Sequence, residues 1–168
     1  MTQHTKADQI PVAHTPAGGW GDEMPPEILA GCTEPLVEGA PDLRGLWKVV
    51  EVAVGGETVH AHPALGHVER IEQCGDRLIV VASGVIHDMR CDATIEHGVH
   101  DVMQTDFTTR IDVVASFENE VHVLRPVGLE AFEVTRRLVG SQMEWSYAGA
   151  FVARLDRVAE SDRPSARS

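Results

Sequence analysis

The chain has 168 residues, with 14 Lys plus Arg against 26 Asp plus Glu, a formal charge of -12 and 43% hydrophobic residues. That length favours one domain able to bury a core, and an acidic balance without a basic run argues against nucleic acid, whose binding rests on phosphate neutralisation. The longest apolar runs, Leu78 to Ala82 and Tyr147 to Ala153, are far too short to cross a bilayer, and the N-terminus lacks the basic-then-apolar order of a secretory leader, so no membrane insertion is expected.

Residues 1–43 hold six of the nine prolines and seven acids against Lys6 alone, a charge of -6 that is half the total. So few apolar groups cannot offset the entropy of ordering, and residues 1–42 read as a flexible acidic arm, with 1–22 disordered unless docked. From about residue 24, Ile28, Leu29, Leu36 and Val37 supply enough apolar surface for a strap or a cover at one end of the domain. The polar residues 159–168 read as a disordered tail.

Between them, residues 43–158 carry Val, Ile, Thr and aromatics in short runs divided by Gly, Asp, Asn and Glu. The runs predict strands at 46–54, 67–73, 77–83, 86–91, 99–104, 109–117, 121–126, 132–138, 142–147 and 151–158. Turns as short as Cys74-Gly75-Asp76, Glu118-Asn119-Glu120 and Gly140-Ser141 join only antiparallel neighbours. Pro63 to Glu69 reads as one short helix or lid. A flat meander leaves two bare edges and closure removes them, so the expected fold is an all-β, antiparallel up-and-down barrel of about 8–10 strands.

Alternation assigns the inner faces. In the first strand Trp47, Val49, Glu51 and Ala53 share a side; in the fourth His87, Met89 and Cys91 lie opposite Ile86, Asp88 and Arg90; in the ninth Met143, Trp145 and Tyr147 lie opposite Glu144 and Ser146. These sets are read as interior. Of the adjacent pair Arg136-Arg137 one must point inward, either anchoring an anion or passing the rim, and the rim is the favoured reading.

Gly45-Leu46-Trp47, opening the first strand, resembles the GxW motif of the lipocalins and fatty-acid-binding proteins, together the calycins. Thr105-Asp106-Phe107 is similar to the lipocalin TD(Y) turn, and Arg154 in the last strand matches the arginine that packs across the motif tryptophan, with Arg157 as a substitute. The resemblance covers residues 43–158 and implies a ligand-holding barrel whose base is built from Gly45, Trp47 and Arg154. Leu155 and Asp156 follow Arg154, so the Arg-x-Tyr carboxylate clasp of many fatty-acid-binding proteins does not carry over.

His60-Ala61-His62 with His67 and Glu69 has the residue types of a metal site, but Pro63 makes the segment a loop, and it is read as solvated; no metal and no cofactor are expected. His97 and His100, flanking Gly98, read as exposed hairpin histidines. Three cysteines without CxxC spacing suggest no disulfide framework: Cys32 and Cys74 read as surface thiols, Cys91 as a small buried hydrophobe, and the compartment as reducing and cytoplasmic. No nucleophile or phosphate-binding motif is present.

The function expected is non-covalent binding of one small apolar or aromatic molecule, lined by Glu51, His87, Met89, Cys91, Met143, Trp145 and Tyr147. The alternative is a cofactor-free isomerase, cyclase, decarboxylase or dehydratase using His87, Glu51 and Tyr147 for acid/base chemistry. A third reading is a filled barrel that meets a protein partner through the arm. A second copy of the chain is also an allowed partner.

Overall fold

A computed structural model describes residues 5–129 and 131–159. The strands are β1 (Gly45–Val54), β2 (Glu57–Val59), β3 (Val68–Cys74), β4 (Arg77–Ala82), β5 (Val85–Arg90), β6 (Val99–Val102), β7 (Arg110–Phe117), β8 (His122–Pro126), β9 (Val134–Val139), β10 (Gln142–Tyr147) and β11 (Phe151–Arg157). They pair antiparallel in the order β5-β4-β3-β1-β11-β10-β9-β8-β7-β6, with β2 hairpinned onto β1 beside this path. First and last barrel strands therefore meet, as closure of a meander requires. Among the described residues only the β5–β6 seam lacks a ladder, and there His87 Nε2 lies 3.0 Å from the Val102 carbonyl while the Arg90 amide donates to His97 O at 2.7 Å. The result is a nearly closed antiparallel barrel.

The predicted helix or lid at Pro63 to Glu69 is instead a tight turn, with Leu65 N donating to His62 O and Gly66 N to Val49 O. The polar tail at 159–168, expected to be disordered, lies, apart from Ala159, outside the described residues.

Trp47 is fully buried at the barrel base, its indole donating to Leu43 O at 2.8 Å. The arginine over its ring is Arg157, 4.6 Å from the centroid, and not Arg154. Strand parity decides this. Ala153 and Leu155 are buried in the interior, so Arg157 shares their side, whereas Arg154 points outward to Glu144. Gly45 has φ +136°, a backbone conformation that glycine adopts without strain, and it lies in ordinary contact with the Arg157 side chain. Arg157→Met is expected to cost about 1 kcal/mol in urea unfolding, and Arg154→Met less than about 0.5. Equal costs would return the tryptophan contact to neither residue.

The arm is packed from Thr5 onward along the outer face of β3, β4 and β5, so docking begins well before residue 24. Arg77 on β4 explains why: its guanidinium forks onto Asp88 (2.8 and 2.5 Å) and donates to the carbonyls of Ala7, Ile10 and Pro11. Further along, the Glu72 carboxylate accepts the amides of Ile28 and Leu29, and Arg70 donates to Pro25 O and Pro26 O. Buried charges on the barrel thus satisfy arm amides and carbonyls that have no ladder, while Ala7, Met24, Leu29, Ile79, Val81 and Ile86 form a second core between the layers. Cys32 and Cys74 are joined in a disulfide that fastens arm to barrel, which corrects the reading of both as thiols. The odd cysteine is Cys91, buried and free.

Candidate functional site

Inside the barrel, Glu69 on β3 and Arg136 on β9 meet across the interior, with Nε–Oε2 at 2.9 Å and Nη2–Oε1 at 3.2 Å. Glu69 is 1% exposed and Arg136 5%. Despite its burial, the Arg136 guanidinium and His67 hold the Glu69 carboxyl down to about 2, so it is ionised at neutral pH. Arg136 is the inward member of the Arg136-Arg137 pair, against the rim reading, and Arg137 points outward to Glu144.

The neighbours of Arg136 follow from register. Across the β8–β9 ladder it faces His122, and across the β9–β10 ladder it faces Trp145. His122, Arg136 and Trp145 therefore form one cross-strand row on three adjacent strands. The guanidinium carbon lies 5.2 Å from the Trp145 ring centroid. His122 is fully buried, its Nε2 3.4 Å from Met89 Sδ, and burial together with the Arg136 charge pushes its pKa down to about 3, so it is a neutral imidazole. Each member of the row has one buried polar atom without a hydrogen-bond partner: His122 Nδ1, Arg136 Nη1 and Trp145 Nε1.

Around the row the interior is apolar, with Leu78, Val80, Met89, Val113, Ala115 and Met143 buried against it. Met89, Cys91, Met143 and Trp145 are buried there, and the half-buried Tyr147 packs against the cluster, its ring stacked on Phe151 at 5.3 Å. His87 is bound to the Val102 carbonyl at the seam, and burial pushes its pKa down. Glu51 is not inside. A β-bulge between Val49 and Glu51 shifts the β1 register, turning Val52 inward and leaving Glu51 exposed. The proposed His87–Glu51 acid/base pair is therefore not assembled.

Among the described residues no three His, Cys, Asp or Glu side chains converge as metal ligands. His62 packs edge-on to Phe151 at 4.8 Å, whereas His67 turns to Glu69. His97 and His100 pair with Asp92 and Asp112. The Cys91 thiol is pushed well above its ordinary value by burial, which makes it a poor nucleophile.

Outside the interior, a cleft of about 370 Å³ lies between the arm and the seam. Its wall includes His14, Arg77, His97 and Met89, the last of which also touches His122 inside. Arm residues bridge this seam. Ala13 N donates to Asp88 on β5, Thr15 N to Asp101 on β6, and Ile86 N to the Thr15 hydroxyl.

No helix of the described residues is long and apolar enough to cross a membrane. No family model matches the chain, and no curated protein matches it. Among solved structures it is similar to human cRBP IV, at 13% identity, with 70% of this chain and 98% of that chain covered and a TM-score of 0.45.

Proposed function

We propose that the chain is a small-molecule-binding protein of calycin type that holds one largely apolar ligand in the barrel, its polar end received by the His122–Arg136–Trp145 row. The observation that carries this reading is the set of three unpartnered polar atoms on one cross-strand row inside an apolar interior. Buried polar groups are expensive to leave unmade: an acceptor on a ligand satisfies the N–H groups of Arg136 and Trp145, whereas His122 Nε2, which can only donate to the Met89 thioether, leaves Nδ1 as an acceptor that a ligand hydroxyl satisfies. Charge selects the class of acceptor. Arg136 is neutralised by Glu69 and His122 is uncharged, so the row has no net charge to offset the desolvation of a carboxylate. An uncharged carbonyl or hydroxyl oxygen suits it better, with the chain of the ligand among Met89, Met143 and Val113.

The disulfide withdraws the cysteine argument for a reducing, cytoplasmic setting, because bonded cysteines persist in oxidising compartments. Binding in the barrel does not depend on the compartment.

Titration with Nile red, a neutral apolar dye with a carbonyl, tests the proposal. Saturable one-to-one binding is expected, displaced by a long-chain methyl ketone more readily than by the carboxylic acid of equal length at pH 7. Trp145→Phe keeps the ring and deletes the N–H, and should weaken dye binding by roughly 5- to 10-fold, the worth of one hydrogen bond. Absence of saturable binding, or a preference for the acid, overturns the reading.

A further inference from the structure

A different chemistry is present where His67 links the interior to the barrel mouth. Glu69, held ionised by Arg136, can only accept, so His67 Nε2, 3.1 Å from Glu69 Oε1, must be the protonated nitrogen. In the neutral imidazole this leaves the lone pair on Nδ1. Ser83 Oγ lies 3.4 Å from that atom, so the hydroxyl donates to a base whose tautomer is fixed from behind. The imidazole is also held in orientation by stacking on Trp145, with centroids 5.3 Å apart and planes 30° apart.

Ser83 is presented outward by its turn. It has φ +51° and Gly84 φ +83°, the paired left-handed residues of a two-residue hairpin between β4 and β5. Gly84 lies under Phe107, where a Cβ would come within 2.7 Å of the ring, and the Trp20 amide donates to Gly84 O at 2.9 Å. The exposed hydroxyl thus stands on a turn whose other residue is packed under Phe107.

We propose that Ser83, His67 and Glu69 act as nucleophile, base and orienting carboxylate in the hydrolysis of small carboxylic esters at the barrel mouth. Hydroxyl, base and third group in sequence are the arrangement that activates a serine, and such contacts tighten when substrate binds. Ser83 Oγ adds to the ester carbonyl carbon as its proton passes to His67 Nδ1. The carbonyl–alkoxy bond breaks, and the alcohol leaves with that proton. Water then attacks the acyl-serine, giving one proton to His67; the acid departs, and the proton returns to Ser83 Oγ. The relay goes beyond the binding reading and does not depend on it, since neither Ser83 nor the base function of His67 enters the His122–Arg136–Trp145 row.

The test is reaction of the full chain with an alkyl fluorophosphonate, read by intact mass and peptide mapping, beside hydrolysis of p-nitrophenyl butyrate. One phosphonyl adduct at Ser83 is expected, with ester hydrolysis that depends on His67. Ser83→Gly suits the left-handed backbone and should retain the thermal midpoint while losing the adduct and at least about 100-fold of the rate; His67→Gln should lose a similar factor. No adduct, an adduct at another residue, or an unchanged rate in Ser83→Gly overturns the relay, whether or not Nile red binds.

Discussion

Glu69→Ala is expected to lower the unfolding free energy by roughly 3–5 kcal/mol, measured by urea denaturation at pH 7. Removing one partner of a buried ion pair leaves the other charge desolvated and uncompensated. Arg136 is 5% exposed, and its remaining neighbours, the Trp145 ring and the neutral His122, supply no negative charge. The paired replacement Glu69→Leu with Arg136→Met removes both charges and should recover most of the loss, because apolar side chains of similar size replace a buried pair at little net cost. A loss below about 1 kcal/mol for Glu69→Ala would mean that water reaches Arg136, and the interior would then be wet rather than apolar.

Acidification is expected to destabilise the fold in two successive ranges. His122 is held neutral, its pKa pushed down to about 3 by burial and the Arg136 charge. The unfolded chain therefore takes up a proton near the ordinary histidine value of 6.5 while the folded chain does not, so stability is full above that value and falls as pH drops from about 6.5 towards 3. Glu69, held down to about 2, contributes stability that is full above the ordinary carboxyl value and is lost from about 4.5 towards 2. Each group is buried enough for an effect on the order of a few kcal/mol. His100 works in the opposite sense, since its hydrogen bond to Asp112 raises its pKa and its contribution fades as pH rises, but it is a surface pair. Thermal midpoints from pH 8 to 3 should show the decline. In His122→Leu the upper part, from 6.5 to about 4.5, should become shallower, the remainder coming from His87, whose pKa burial also pushes down, while the lower part persists; an unaltered upper part would assign the loss to other groups.

Much of the barrel was legible because its signals are local. Alternation, Gly-containing two-residue turns and the GxW start specify where strands begin, which neighbours pair, and that Met89, Cys91, Met143, Trp145 and Tyr147 share inner faces. The β9 pattern carries a further signal: Val134 shares parity with Arg136 and is buried, which points the arginine inward, whereas a charge on an apolar face favours the rim on sequence grounds alone. Glu51 could not be read correctly from parity, since a β-bulge adds a residue without a marked sequence sign, and every residue after it changes side.

The polar interior and the docked arm belonged to tertiary structure for a shared physical reason. On β3 both faces mix charged and apolar residues, Glu69 and Ile71 on one side and Val68, Arg70 and Glu72 on the other, so alternation gives no contrast. Both faces are buried, one by the barrel interior and the other by an arm whose composition suggested disorder. What offsets the ordering of that arm is the second core that its Ala7, Met24 and Leu29 complete, together with Arg77, Glu72 and the Cys32–Cys74 bond, whose arm and barrel partners are about 40 or more positions apart. By itself, then, the sequence determined an antiparallel barrel with an acidic leading segment, since period-two patterning and turn chemistry act between neighbours. Only the folded chain decided that Glu69 meets Arg136, that His67 faces Ser83 and that Arg157 covers Trp47, because pairings across a closed sheet depend on its register and closure.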